Sequence, residues 1–124
     1  MGARLIGPLG PGRWLGTCWG RFGDQTGARW FVFDSESFRA PESGELQTFS
    51  GCQTMAWHNR IRYAGTPGHF VVKADSRIEL WDMRRMRRLK VFADSMHVCD
   101  FFIQGRDLLI WTAWDVFVLE RALA

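Results

Sequence analysis

Cysteine is scarce in this chain, with three residues, Cys18, Cys52 and Cys99, among 124. An odd number without close pairing excludes a disulfide framework and points to reduced, buried thiols. Histidine is equally sparse, and neither CxxC nor HxxxH spacing occurs. His97, Cys99 and Asp100 stand close enough in sequence to suggest zinc, but no second ligand pair accompanies them, and His58 and His69 are singletons. No metal and no cofactor are therefore expected. Catalytic signatures are missing too: there is no G-x-S-x-G and no H-E-x-x-H. Gly7-Pro8-Leu9-Gly10 lacks the following Lys-Ser/Thr of a phosphate cradle, and its proline withholds an amide. A non-enzymatic protein is the expectation. No run approaches the roughly 18 apolar residues of a membrane span, and the segment from Met1 to Pro8 breaks before a signal-peptide core forms. A cytoplasmic protein without membrane contact is expected.

What the chain does have is aromatic bulk. Seven Trp and ten Phe, within 47% hydrophobic residues, exclude disorder for the body of the chain and favour strands. Ten of the thirteen glycines fall in the first 51 residues, so the N-terminal part reads as turn-rich and the remainder as strand-rich. Gly7-Pro8-Leu9-Gly10-Pro11-Gly12 reads as a flexible lead over 1–13 that frays. Beyond it, strands are expected at 14–19 and 30–33 around a turn at 23–27, then at 45–49 after a polar loop over 35–44. Short strands follow at 53–57, 60–63, 70–73, 77–82 and 89–92. Met83, Met86 and Leu89 also suit one face of a basic amphipathic helix, but the alternation around Leu89 and Val91 favours a polar turn followed by a strand.

A spacing organises these strands. Arg77-Ile78-Glu79-Leu80-Trp81-Asp82 is an apolar-alternating strand that ends in Trp-Asp. Glu120 closes a similar strand 38 residues after Asp82, and Asp34 closes another 48 residues before it. Periods near 40 residues are those of a four-stranded propeller blade. At 124 residues the chain is one domain by length, short of the blades that a closed ring requires.

Residues 70–92 resemble one unit of the WD-repeat family. Strand 70–73, the turn Asp75-Ser76, strand 78–82, connection 83–88 and strand 89–92 follow one another as in such a unit. Residues 100–120 are similar, with the turn Gln104-Gly105-Arg106 and Glu120 in place of the terminal Asp. Gly68-His69 precedes the second strand of its unit rather than the first, and the last unit ends after its third strand. The resemblance implies an all-β fold of antiparallel propeller-like sheets in two to three blade-like units, left incomplete or completed by oligomerisation. The expected organisation is a lead over 1–13 and a single β domain over 14–124, with units at about 14–50, 51–93 and 94–124. The family's usual role implies a scaffold that binds partners on rim and edge surfaces, without catalysis.

Candidate contact residues follow from charge and aromaticity. The net charge of +3 is concentrated: Arg77, Arg84, Arg85, Arg87, Arg88 and Lys90 face only Glu79 and Asp82 over 77–90, while the remainder holds 10 basic and 11 acidic residues. Arg84, Arg85, Arg87 and Arg88 on one connection would focus positive potential towards an acidic protein surface. Nucleic acid is a lesser alternative, since no nucleic-acid-binding motif accompanies the patch. Trp111 and Trp114 flank a turn and suit a contact surface, whereas Trp30, Phe33, Trp81 and Phe117 occupy strand positions expected in the core. Homo-oligomerisation through open sheet edges is expected if the ring does not close. A small bacterial inhibitor or immunity-type protein is the alternative suggested by size.

Overall fold

The structure, a computed structural model, describes residues 2–22, 25–35, 42–45, 60–74, 77–94 and 98–124. Eleven strands and no helix occur among them. Nor is any helix there long and apolar enough to cross a membrane. The strands form three antiparallel sheets in which chain neighbours are sheet neighbours. Sheet 1 contains β1 (Gly2–Gly10), β2 (Arg13–Phe22), β3 (Gln25–Asp34) and β4 (Glu42–Glu45). Sheet 2 contains β5 (Ile61–Tyr63), β6 (His69–Ala74), β7 (Arg77–Asp82) and β8 (Arg87–Ala93). Sheet 3 contains β9 (Val98–Gln104), β10 (Asp107–Thr112) and β11 (Val116–Leu119). The fold is all-β, as its aromatic, alternating strands require.

Several expectations are corrected. The Gly/Pro-rich stretch expected to fray is paired as β1 along β2, from Gly2 opposite Trp19 to Gly10 opposite Arg13. Pro8 is tolerated because β1 is an edge strand with register shifts at Leu5/Gly7 and Pro8/Gly10. The Pro8 carbonyl also accepts the Gly68 amide across to sheet 2, at 3.0 Å. Pro11 and Gly12 then form a tight turn in which Gly12 supplies a φ of +69°. The loop expected over 35–44 ends early, since Glu42, Ser43 and Gly44 join β4 opposite Val32, Phe31 and Trp30. An outermost strand is held by backbone pairing and needs no apolar pattern of its own. The expected strand at 53–57, and most of that at 45–49, lie outside the described residues. Residues 87–93 form a strand and not a helix, in line with the alternation there.

Paired residues across a ladder point to the same face, and this fixes how the sheets stack. Sheet 2 is covered on both sides. One of its faces presents Ile61, Phe70, Val72 and Trp81 to Leu9, Leu15, Ile6 and Val32 of sheet 1. Its other face presents Val71, Ile78 and Leu80 to Phe101, Ile103, Leu108 and Ile110 of sheet 3. Phe70, Ile61, Val72, Ile78 and Leu108 are fully buried, each contributing roughly 1.5–3 kcal/mol of apolar transfer. Contact between sheets 1 and 2 is close: a Cβ on Gly7 would fall 2.7 to 2.9 Å from Cβ, Cγ and Cδ1 of Tyr63. Past β11 the chain turns back, and Leu123 enters the second core. Its amide donates to the Arg106 carbonyl at 3.0 Å, and Arg121 N donates to Asp107 Oδ1 at 2.8 Å.

Candidate interaction surfaces

The four arginines expected to act together are separated by the structure. Only Arg84 and Arg85 lie in the turn at 83–86, because β8 begins at Arg87. Asp82 Oδ1 accepts the Arg84 amide at 3.0 Å, and Arg84 Nε lies 3.9 Å from the same oxygen. The Arg84 side chain covers Gly68, whose φ is +86° and where a Cβ would fall 2.7 Å from Nε. Alternation in β8 turns Arg88 back towards β7, where its Nη1 donates to Glu79 Oε2 at 2.8 Å. Glu79 is fully buried, and its Oε1 accepts the Trp81 indole N–H at 3.1 Å. Arg77 Nε lies 3.8 Å from Oε2. Arg88 is thus committed to a buried carboxylate and Arg84 to the turn. Arg85 and Arg87 are exposed and form no ion pair among the described residues.

Trp111 and Trp114 lie at the far end of the stack, on sheet 3. Trp114 is 75% exposed on the connection from β10 to β11. Thr112 shapes that connection: its Oγ1 accepts the amides of Trp114 and Asp115 at 3.2 and 3.1 Å, and its own amide donates to the Asp115 carbonyl. Trp111 is half-buried in β10. Its ladder partners are Asp100 and Val116, and the next pairs on the same face are Leu109 with Phe102 and Val118. That face points away from sheet 2, leaving Phe102 56%, Val116 65% and Val118 55% exposed. β11 has no further strand beside it among the described residues. The other end of the stack has a counterpart. Gly16 pairs with both Leu5 and Phe31, and Trp14 pairs with Phe33, on the face of sheet 1 away from sheet 2. Leu5 is 53% exposed, Trp14 is exposed, and Phe31 and Phe33 are half-buried. Phe31 lies over Gly16, where no side chain would fit.

The outward face of sheet 3 was not singled out by sequence reasoning. A signal was present: Leu108-Leu109-Ile110-Trp111 and Val116-Phe117-Val118-Leu119 are apolar at both parities, the pattern of strands with two apolar faces. At the β8 edge of sheet 2, Arg87, Arg88 and Lys90 supply charges that blunt edge pairing there. Among the expected core aromatics Trp81 is buried and Phe33 half-buried, but Phe117 is exposed. Phe117 lies on the inner face at the rim of a pocket of about 310 Å³, where Phe92, Ala93, Val98, Ile110 and Leu119 diverge. The Trp30 side chain is not among those described.

Cys99, expected to be buried, is exposed, because alternation in β9 sends Val98 into the core and Cys99 outward. Cys52, His58 and His97 lie outside the described residues. Among those described, no three His, Cys, Asp or Glu residues gather to hold a metal. Arg62 on β5 is held below the usual guanidinium pKa, first by burial and then by Arg4 of β1, while Asp100 of β9 opposes the shift. Arg62 thus lies within reach of charges on the first strands of the other two sheets. Neither a protein-family model, nor a curated protein, nor a solved structure matches this chain.

Proposed function

We propose that this chain is a non-enzymatic protein–protein interaction module of propeller-like β architecture, acting in the cytoplasm as a scaffold. One observation carries the reading: Phe102, Leu109, Trp111, Val116 and Val118 form an apolar sheet face that no other sheet covers among the described residues, with Trp114, 75% exposed, beside it. Exposed apolar faces of this kind mark contact sites, and Trp and Arg dominate the energetics of such contacts. The propeller-like element is supported by three consecutive meanders stacked face on face, and by Trp81-Asp82 closing the third strand of a four-stranded one. Arg85 and Arg87 are the cations open to an acidic partner, whereas Arg84 and Arg88 shape the turn and hold Glu79.

Selection of a displayed random-peptide library on the immobilised chain tests the proposal. Enrichment of apolar peptides flanked by Asp or Glu is expected, with capture lost in the Trp114→Ser/Val118→Lys variant. Enriched peptides that bind this variant as well as the original chain would remove the surface from the reading.

A further inference from the structure

Among the described residues sheets 1 and 2 have four strands, sheet 3 has three, and β11 is an edge with no strand beside it. The Thr112 amide donates to the Asp115 carbonyl at 2.9 Å, which makes these two a hydrogen-bonded pair of the ladder. Such pairs alternate with unbonded ones. Phe117 and Leu119 therefore bond to Ile110 and Leu108, and the N–H and C=O groups of Val116 and Val118 point away from β10. We propose that this edge is a strand-acceptor site, which takes an extended, apolar-alternating segment of a partner protein, flanked by Lys or Arg, as the fourth strand of sheet 3. The site is the edge and inner side of β11, not the outer face of sheet 3, and does not rest on that face.

Three observations carry it. The edge is unguarded: β11 pairs with β10 residue for residue, with no charge, proline or register shift over Val116–Leu119. By contrast β8 carries Arg87, Arg88 and Lys90, and β9 pairs with a register shift at Trp111/Thr112. Edges that lack such devices accept further strands. The cover is incomplete: a pocket of about 310 Å³ lies between Phe92 and Ala93 of β8, the outermost strand of sheet 2, and Ile110, Phe117 and Leu119 of sheet 3. Phe117, at its rim, is 40% exposed. A strand laid along β11 would send every second side chain to this inner side. The pocket is roughly twice the ~150 Å³ of a cavity that holds benzene, so it takes two large apolar side chains at alternating positions. The charge is negative: residues 98–124 hold Asp100, Asp107, Asp115 and Glu120 against Arg106 and Arg121, a net −2 in a chain of net +3. Asp115 and Glu120 bracket β11, Asp94 lines the pocket, and none of the three forms an ion pair among the described residues. Lys or Arg at the ends of the segment complements those carboxylates, whereas sheet 3 of a second copy would bring the same negative charge.

Fluorescence anisotropy with the labelled peptide Lys-Thr-Leu-Thr-Phe-Thr-Lys tests this. The peptide should bind saturably, and more tightly than its counterpart with Asp in place of Lys. Amides of an added strand face β11 alternately, so N-methylation of the Thr residues and N-methylation of Leu and Phe should differ, one phase weakening binding by roughly tenfold or more and the other leaving it. Val118→Pro removes an N–H that points away from β10, which an edge strand tolerates, and should weaken binding by about the same factor. A urea midpoint checks its fold. Ala93→Leu fills the pocket from β8 and serves as the second variant. Ala93 lies on the inner side, so acid-flanked peptides held by the outer face of sheet 3 should bind Ala93→Leu unchanged. Equal binding of the two N-methylated forms, or folded Val118→Pro and Ala93→Leu chains that bind the peptide as tightly as the original, would overturn the proposal. So would absence of binding by the Lys-flanked peptide, and self-association that Val118→Pro abolishes would then assign the edge to a second copy.

Discussion

Replacing Arg88 by Ala would leave the Glu79 carboxylate in place, fully buried, after removing its shortest charged contact, the 2.8 Å bond from Nη1. The Trp81 indole N–H at 3.1 Å would remain, and Arg77 Nε at 3.8 Å is too distant to replace the lost bond. Breaking a wholly buried ion pair costs about 3–5 kcal/mol. Arg88 is itself 43% exposed, so water tempers the loss towards the 1–3 kcal/mol of an unsatisfied buried acceptor. About 2 kcal/mol is expected, or roughly 8 °C in Tm for a domain of this size. The Glu79→Leu/Arg88→Met pair should recover most of that loss, because the buried charge and its partner are removed together. Urea unfolding followed by tryptophan fluorescence measures both variants and, with the single changes, closes a double-mutant cycle. A loss below about 0.5 kcal/mol for Arg88→Ala would refute the reasoning, since that is the scale of an ordinary surface substitution. So would a double variant as unstable as the sum of its parts.

Gly7→Ala should destabilise by about 1–3 kcal/mol by forcing a methyl group into Tyr63 between the first two sheets, whereas Gly10→Ala, with open space around it, should change urea stability little. Leu123→Ala should cost about 2–3 kcal/mol by opening the second core, and an unchanged urea midpoint would show the C-terminal turn to be dispensable. Cys99 should be alkylated in the folded state, because β9 turns it outward, as peptide mapping after brief native labelling will show. Arg85→Ser/Arg87→Ser should leave the thermal midpoint within about 0.5 kcal/mol of stability while reducing capture of acidic peptides, in contrast to Arg88→Ala.

Much of the fold was legible because apolar residues alternate wherever one face is buried. The strands at 77–82 and 89–92 follow that rule, and the turn at Gln104-Gly105-Arg106 joins β9 to β10 as expected. β1 was misread because Gly and Pro report local freedom and say nothing of a neighbouring strand: Ile6 and Leu9 become core only once Tyr63 and Phe70 lie against them. β4 escaped because an outermost strand held by backbone pairing needs no pattern. The arginine cluster was legible as a cluster, but not as two different pairs of side chains.

By itself, then, the order of residues determined an all-β chain of antiparallel meanders with rings on the strands, since pleat alternation and aromatic β-preference are local properties. Tertiary packing decided the rest. It chose which of two apolar faces on each strand meets another sheet, bound Arg88 to Glu79 while leaving Arg85 and Arg87 in water, and left Phe102, Val116 and Val118 on the outer face of sheet 3 exposed. The physical reason is that apolar burial has no direction of its own: two-faced strands need cover on both sides, and only the placement of neighbouring sheets determines which side is left open.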